Sequence, residues 1–135
     1  MGRKILATNG NRWNNQDETM LIPDGAATRV DIPAAFSSRF GYAPNYLSLV
    51  YVDCYLGAVK ITGNWPGAPS FERELRSSDP PMIISWSADP IDLPAGAELL
   101  ISNETLDLYG GTSSSSSAPL PDAEVGVTFI GVDHT

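Results

Sequence analysis

Residues 45–55 read NYLSLVYVDCY, which is the strongest strand pattern in the sequence. Its β-branched and aromatic side chains favour the pleated backbone of a β-strand. A strand with one face in water alternates apolar and polar side chains, whereas this one carries apolar side chains on both faces. We therefore predict a central strand that is covered on both sides, or one that faces a core on one side and another subunit on the other.

Shorter strand-like segments surround this stretch at nearly regular spacing. Gly57 interrupts the chain, and residues 58–62 (AVKIT) are predicted to form the return strand of a hairpin. Eleven prolines and twelve glycines, spread along the chain, separate the segments as turn formers. Further strands are predicted at residues 29–32, 82–86, 97–102, 105–109 and 124–132.

Helical pattern is scarce in this sequence. Residues 34–40 fit one or two helical turns, and residues 71–76 (FERELR) fit either a short helix or a strand. Many short strands with almost no helix indicate a β-sandwich or barrel. A chain of 135 residues is long enough for one domain with a real core. We predict an all-β, jelly-roll-like β-sandwich that forms a single domain.

The N-terminal segment differs in composition from the rest of the chain. Residues 1–18 are predicted to be a short extended N-terminal arm or an edge strand, and residues 19–135 the sandwich. The segment is polar apart from one short apolar stretch, so it gains little by packing on its own domain. An arm of this kind orders on a partner, with Ile5 and Leu6 as anchors; an ordinary first edge strand is the alternative.

A slack stretch precedes the last predicted strand. Residues 110–121 read GGTSSSSSAPLP, which is the composition of a flexible loop. One interpretation is a long connection that returns the strand at 124–132 across its own sandwich, as in Greek-key folds. The other is a tether that lets this strand pair with a neighbouring subunit. Val125, Val127 and Phe129 share one face of the strand and are candidate partner-binding residues in the second case.

Charge and cysteine content exclude several classes of protein. The net charge is −8, and a surface of that sign repels phosphate, so no nucleic-acid partner is expected. The first residues contain no apolar signal core, and no stretch is long and apolar enough to cross a membrane. The single cysteine, Cys54, excludes an intrachain disulfide and is expected to be a buried apolar side chain.

No pattern in the sequence points to catalysis. The only histidine is His134, beside the end of the chain, which makes a catalytic triad or a histidine-based zinc site improbable. No phosphate-binding glycine motif occurs, and the acidic residues lack the spacing of a calcium loop. We therefore expect no enzyme activity, no cofactor and no metal.

Two tryptophans lie beside asparagines in turn-like stretches. Trp13 lies in NRWNN and Trp65 in GNWPG. An aromatic ring beside side-chain amides is the usual way to hold a sugar, by stacking and hydrogen bonding. These two residues are candidate binding residues for a carbohydrate or a partner; the alternative is that each indole lies at the edge of the core.

In its overall organisation the chain resembles the small accessory proteins of bacteriophage particles, especially capsid decoration (cement) proteins. The resemblance rests on the polar arm at residues 2–18, the series of strands and turns, and the unit IDLPAGAELLI at residues 91–101. It implies a β-sandwich or jelly roll, often trimeric, that sits on a capsid shell and braces contacts between capsid subunits. No individual residue role is carried over by it.

The predicted function is accordingly a non-enzymatic structural protein of a virus particle. Such a protein is made in the host cytoplasm and reaches the virion by assembly, with capsid or other virion proteins as partners and a homo-oligomer, preferably a trimer, as its form. Two alternatives stay open: a tail, neck or fibre component, and a carbohydrate-binding module that recognises a receptor. Interface area rather than an active site is what the favoured function requires.

Overall fold

The computed structural model describes residues 3–8, 19–23, 25–63, 65–66, 70–105 and 122–134. Within these ranges the chain forms one helix, α1 (Ile32–Phe40), and ten strands. The strands are β1 (Arg3–Ala7), β2 (Met20–Ile22), β3 (Ala27–Asp31), β4 (Tyr46–Leu56), β5 (Ala58–Gly63), β6 (Phe71–Arg76), β7 (Met82–Ser85), β8 (Ile91–Asp92), β9 (Glu98–Asn103) and β10 (Ala123–His134).

The strands form two antiparallel sheets that enclose one core. A six-stranded sheet has the order β1-β10-β4-β7, with β2 also paired to β10 and β8 to β4. A four-stranded sheet has the order β3-β9-β5-β6. The prediction of an all-β, sandwich-like single domain is confirmed.

The centre of the larger sheet is the pairing of β4 with β10, which extends from Glu124–Leu56 to Val132–Tyr46. Two register shifts interrupt the pairing, one between Glu124 and Val125 and one between Ile130 and Gly131. β10 therefore lies inside the sheet of its own chain, and β1 pairs along its other side. The Ser-rich stretch at 110–121 lies outside the described residues, as does the predicted strand at 105–109 beyond Thr105.

The core consists of side chains from the inner faces of both sheets and from α1. Val50, Val52 and Phe129 of the larger sheet are fully buried or nearly so, as are Ile61 and Ile101 of the smaller one. The rings of Phe36 on α1 and Phe129 on β10 lie 6.4 Å apart. The helix thus closes one end of the space between the sheets.

Local sequence explains the limits of α1. Asp31 caps its start by accepting a hydrogen bond from the backbone N–H of Ala34 at 2.9 Å. Pro33 occupies the first turn, where its missing N–H costs nothing. Gly41 ends the helix with φ 86°, a left-handed conformation that favours glycine. The helix therefore starts two residues before the predicted turns at 34–40 and takes Ile32 from the predicted strand.

The ambiguous stretch FERELR is a strand, β6, that pairs with β5 at the edge of the smaller sheet. Leu75 points into the core, while Glu72 and Glu74 are exposed beside β5. Phe71 pairs with Gly63, and its ring occupies the space above that glycine, because an added Cβ would lie 2.4 Å from the ring. Charged side chains on an edge strand also discourage pairing with another chain.

Candidate protein interface

The residues predicted to bind a partner are divided between core and surface. Leu6, Val125 and Phe129 lie in the core, so they are not available at a free surface. Val127 is half-buried on the same inner side, packed against the core. Ile5 is 64% exposed on β1. Trp13 lies outside the described residues.

Trp65 is also buried, which changes its predicted role. It is 4% exposed, and Phe71 packs edge-on against it with ring centroids 6.4 Å apart. Its indole Nε1 is buried without a hydrogen-bond partner among the described residues. A ring enclosed in this way offers no open face on which a sugar could stack, so the predicted stacking platform at Trp65 is not present.

The larger sheet exposes an apolar outer face, formed by the side chains that point away from the core. Val50 and Val52 on β4 point inward, so Leu49 and Tyr51, which alternate with them, point outward. Cross-strand partners point to the same side, which places Ile130 and Ile83 on this face as well. We call this surface the apolar face; its described apolar and aromatic members include Ile5, Leu21, Leu49, Tyr51, Tyr55, Ile83 and Ile130, and Leu56 joins them at the register shift beside Glu124.

The exposed aliphatic side chains of the described residues concentrate on this face. Ile5 is 64%, Leu21 60%, Ile83 58% and Leu56 45% exposed, and all four belong to strands of the larger sheet. Within the described ranges, the remaining large exposed apolar side chain is Tyr42, whose ring centroid lies 5.3 Å from the Lys4 ammonium. Single exposed apolar residues are ordinary on a protein surface, but a cluster on one sheet face marks an interaction surface.

The outer face of the smaller sheet has the opposite character, and we call it the polar face. Arg29 on β3 forms an ion pair with Glu98 on β9. Lys60 on β5 lies 3.5 Å from Glu72 on β6. A solvated sheet face has this composition. The two outer faces of one sandwich therefore differ, and only the polar face has the composition expected of contact with water.

The charged side chains described on the apolar face are acidic. Glu124 on β10 lies between Leu21 and Leu56 in the register, and its Oε2 accepts a hydrogen bond from Thr19 Oγ1 at 2.7 Å. Asp53 lies between Tyr51 and Tyr55 on β4. Partial burial raises the pKa of Asp53, and burial together with the nearby Asp53 carboxylate raises the pKa of both tyrosines.

A separate cleft of about 470 Å³ lies between α1 and the inner face of β10. Most of its described lining residues are apolar, among them Val30, Val127 and Phe129, and Arg39 also lines it. None of its described lining residues is a carboxylate, a histidine or a cysteine. Acid–base catalysis needs a side chain that exchanges protons near neutral pH, and covalent catalysis needs a nucleophile with a neighbouring base; the described lining provides neither.

Cys54 is a core residue, as predicted. Its side chain is buried, and its Sγ lies 3.4 Å from the carbonyl oxygen of Leu56. Burial raises the pKa of this thiol to about 11. The thiolate is the reactive form, so the folded protein holds this cysteine in an inert state.

The sequence indicated β4 and Ile5 as parts of the apolar face, and it missed the other members. The two-sided apolar pattern at residues 45–55 predicted a strand covered on both sides or one that faces a core and a subunit, and Leu49 and Tyr51 lie on its outer side. Ile83 was assigned only to a strand, although residues 82–84 (MII) also carry apolar side chains on both faces of that strand. Leu21 and Leu56 lie next to turns, where an apolar residue gives no indication of its face.

No known protein family model matches the chain, and no curated protein matches it. In the described part of the chain, no three or more His, Cys, Asp or Glu side chains are grouped so that they could hold a metal ion. Across those same residues no helix has the length and apolar character that a membrane span requires.

Proposed function

We propose that this protein is a non-enzymatic structural protein of a virus particle, a capsid decoration protein that attaches to the shell through its apolar face. The observation that carries the proposal is the contrast between the two outer faces of the sandwich. Among the described residues, the polar face carries two ion pairs, whereas the apolar face carries four exposed aliphatic side chains around Leu49, Tyr51 and Ile130. The virion assignment comes from the organisational resemblance, and the apolar face supplies a surface for it.

The apolar face has a suitable size for a protein contact. Four strands at about 4.8 Å spacing make it about 19 Å wide, and nine residues at about 3.3 Å make it about 30 Å long. The flat area is therefore about 600 Å², and the relief of the side chains increases it. A standard interface buries about 800 Å² on each partner, so one sheet face with its margins is sufficient.

The composition of the face also suits an interface. Tyr51 and Tyr55 present large, rigid side chains that lose little conformational entropy on binding, and tyrosine is enriched in protein contacts. Leu49 and Ile130 add the apolar centre that such contacts bury. The rigid, paired strands beneath them hold these side chains in place before binding, which lowers the cost of association.

The test is binding to shells assembled from the major capsid protein of the same particle without this protein. We expect the wild-type chain to sediment with the shells and to raise the temperature at which they break apart. The double variant Ile5→Ser, Ile83→Ser should lose at least about tenfold in affinity, since each exposed aliphatic contributes roughly 1 kcal/mol when it is buried.

Leu100→Ser is the matched control, because Leu100 lies on the polar face beside Arg29 and Thr62. It should bind like the wild type, and all variants should be compared at equal folded fraction. Equal binding by the double variant, or no binding by the wild type, would overturn the proposal. Binding to tails instead of shells would favour a tail, neck or fibre component. The oligomeric state, for which a trimer is predicted, is measured separately by light scattering over a concentration series.

A further inference from the structure

We propose that the part of the apolar face around Asp53 and Glu124 receives a basic, apolar extended segment of a partner protein, in which lysine or arginine alternates with aliphatic residues. The proposal rests on the proposed function, because it specifies the chemistry of the surface to which the apolar face attaches. We call this part of the face the acidic end; it comprises Leu21, Asp53, Tyr55, Leu56 and Glu124.

The acidic end combines a carboxylate with apolar surface on either side. In the register, Leu21 on β2 and Leu56 on β4 are both partners of Glu124 on β10. Glu124 therefore lies in a row between two exposed leucines, with Leu56 placed opposite it by the register shift between Glu124 and Val125. A lysine or arginine places its aliphatic stem on such leucines while its charged head reaches the carboxylate.

The Glu124 carboxylate is already oriented. Thr19 Oγ1 donates a hydrogen bond to its Oε2, which leaves lone pairs on the group for a second donor. A carboxylate fixed in this way loses less freedom when a cation binds than a freely rotating one does. The row thus presents a prepared acceptor rather than a solvated side chain.

Asp53 provides a second acceptor with aromatic neighbours. It lies between the outward-pointing rings of Tyr51 and Tyr55 on β4, and an added Cβ on its cross-strand partner Gly126 would lie 3.1 Å from the Tyr55 ring. Tyrosine rings attract cations, and arginine stacks on them. Glu124 and Asp53 belong to neighbouring strands at the same end of the sheet, so one partner segment can reach both.

Charge decides between a basic partner and a second copy of this chain. Each copy carries a net charge of −8, and the charged side chains described at the acidic end are carboxylates. A face-to-face dimer through this end would bring carboxylates of both copies into a desolvated contact, which is unfavourable. A basic segment would neutralise the same carboxylates in the contact, so charge complementarity favours a basic partner over a second copy of this chain.

The probe is a synthetic peptide of alternating lysine and leucine, with a peptide of alternating glutamate and leucine as its control. Backbone amide shifts of the labelled 14.4 kDa protein are followed by NMR during titration. We expect the lysine peptide to shift amides of β2, β4 and β10 around the acidic end, and the glutamate peptide to cause no saturable shift. Shifts spread equally over both sheets would show attraction to net charge alone and overturn the proposal.

Two double variants separate the site from the overall charge. Asp53→Asn with Glu124→Gln removes the proposed acceptors, and Glu72→Gln with Glu74→Gln removes two carboxylates of the polar face. Each pair changes the net charge from −8 to −6. The first pair should weaken binding of the lysine peptide about tenfold and the second by less than about twofold. Equal losses would overturn the proposal, as would self-association of the unliganded protein that shifts the same amides.

Failure of this inference is distinguishable from failure of the proposed function. If shells bind through the apolar face while the two double variants lose equal affinity for the lysine peptide, only the inference of a basic partner segment is refuted. If the lysine peptide binds at the acidic end while shells do not bind, the capsid assignment is refuted and the inference of a basic partner segment is retained.

Discussion

Substitution of Phe129 and of its neighbour Ile130 by alanine gives the sharpest check on the assignment of the two faces of β10. The two residues are adjacent on one central strand, and both pair with β4, Phe129 with Val50 and Ile130 with Leu49. The loss of β-propensity is therefore similar for both, and the difference reports the side to which each side chain points. Phe129 is 1% exposed in the core, whereas Ile130 is half-buried on the apolar face.

The magnitudes follow from burial. Phenylalanine-to-alanine changes in cores cost about 3–5 kcal/mol, and the lower end applies here because Phe129 borders the cleft beside α1, where water can fill part of the space. Ile130→Ala should cost about 1 kcal/mol because its side chain is incompletely buried. With a urea slope of about 2 kcal/mol per molar, the unfolding midpoint falls by about 1.5 M for Phe129→Ala and about 0.5 M for Ile130→Ala.

Urea unfolding followed by circular dichroism measures both midpoints, and shell binding gives the complementary readout. Phe129→Ala should bind shells normally at equal folded fraction, whereas Ile130→Ala should bind more weakly. Equal midpoints, or a larger loss for Ile130→Ala, would refute the assignment of Phe129 to the core and of Ile130 to the outer face. Weaker binding by Phe129→Ala alone would restore Phe129 as a contact residue, as the sequence pattern suggested.

Four further predictions address the core, the thiol and the acidic end. Gly131→Ala should destabilise the fold by about 1–3 kcal/mol, because the added Cβ would lie 2.3 Å from Pro44 Cγ and 3.0 Å from Phe36 Cζ. Gly126→Ala should cost less, because its added Cβ meets only the Tyr55 ring. Thermal unfolding compares the stability of the two variants. Cys54 should resist iodoacetamide at about pH 8 in the folded protein and react once urea unfolds it, because the pKa of its buried thiol is about 11; rapid labelling of native protein would contradict this. Asn103→Ala should cost about 2–3 kcal/mol in urea unfolding, because it leaves the Ile22 carbonyl oxygen and the backbone N–H of Thr105 without their buried partner; a loss below about 0.5 kcal/mol would count against that role. Asp53→Asn should raise stability at neutral pH and not near pH 3, because a carboxyl whose pKa is raised by folding destabilises the native state once both states are ionised; an unchanged midpoint at pH 7 would show that Asp53 is well solvated.

The strands with a strong pattern were predictable, and those specified by pairing were not. The two-sided apolar run at 45–55 and the hairpin through Gly57 appear as β4 and β5 with small changes of bounds. β2 and β8 have three and two residues, too few for any periodicity, and they exist because β10 and β4 offer them backbone partners. FERELR has the charge pattern of an exposed helix, but it forms a strand because its backbone pairs with the otherwise open side of β5.

The candidate site shows the same division between local pattern and tertiary context. The sequence indicated that β4 has a second apolar face, but membership of that face depends on register, which local sequence does not contain. Val125 and Phe129 have the same alternation as any outward-facing set, and only the register of β10 against the buried side chains of β4 assigns them to the core. The sequence likewise left open whether Trp65 is exposed or buried, because the ring of Phe71, which packs against it, comes from strand β6.

The central position of β10 also governs the order in which the protein folds. Its partners β1, β2 and β4 all precede it in the chain, and the hydrogen bond from the backbone N–H of Phe129 to Thr8 Oγ1 joins residues 121 positions apart. On the ribosome the middle of the larger sheet is therefore missing until residues 123–134 emerge, while the smaller sheet is already complete in sequence. Folding dominated by such distant contacts takes milliseconds to seconds. Until β10 pairs, the backbone edge of β4 that it occupies is open to other chains, and an open strand edge promotes aggregation.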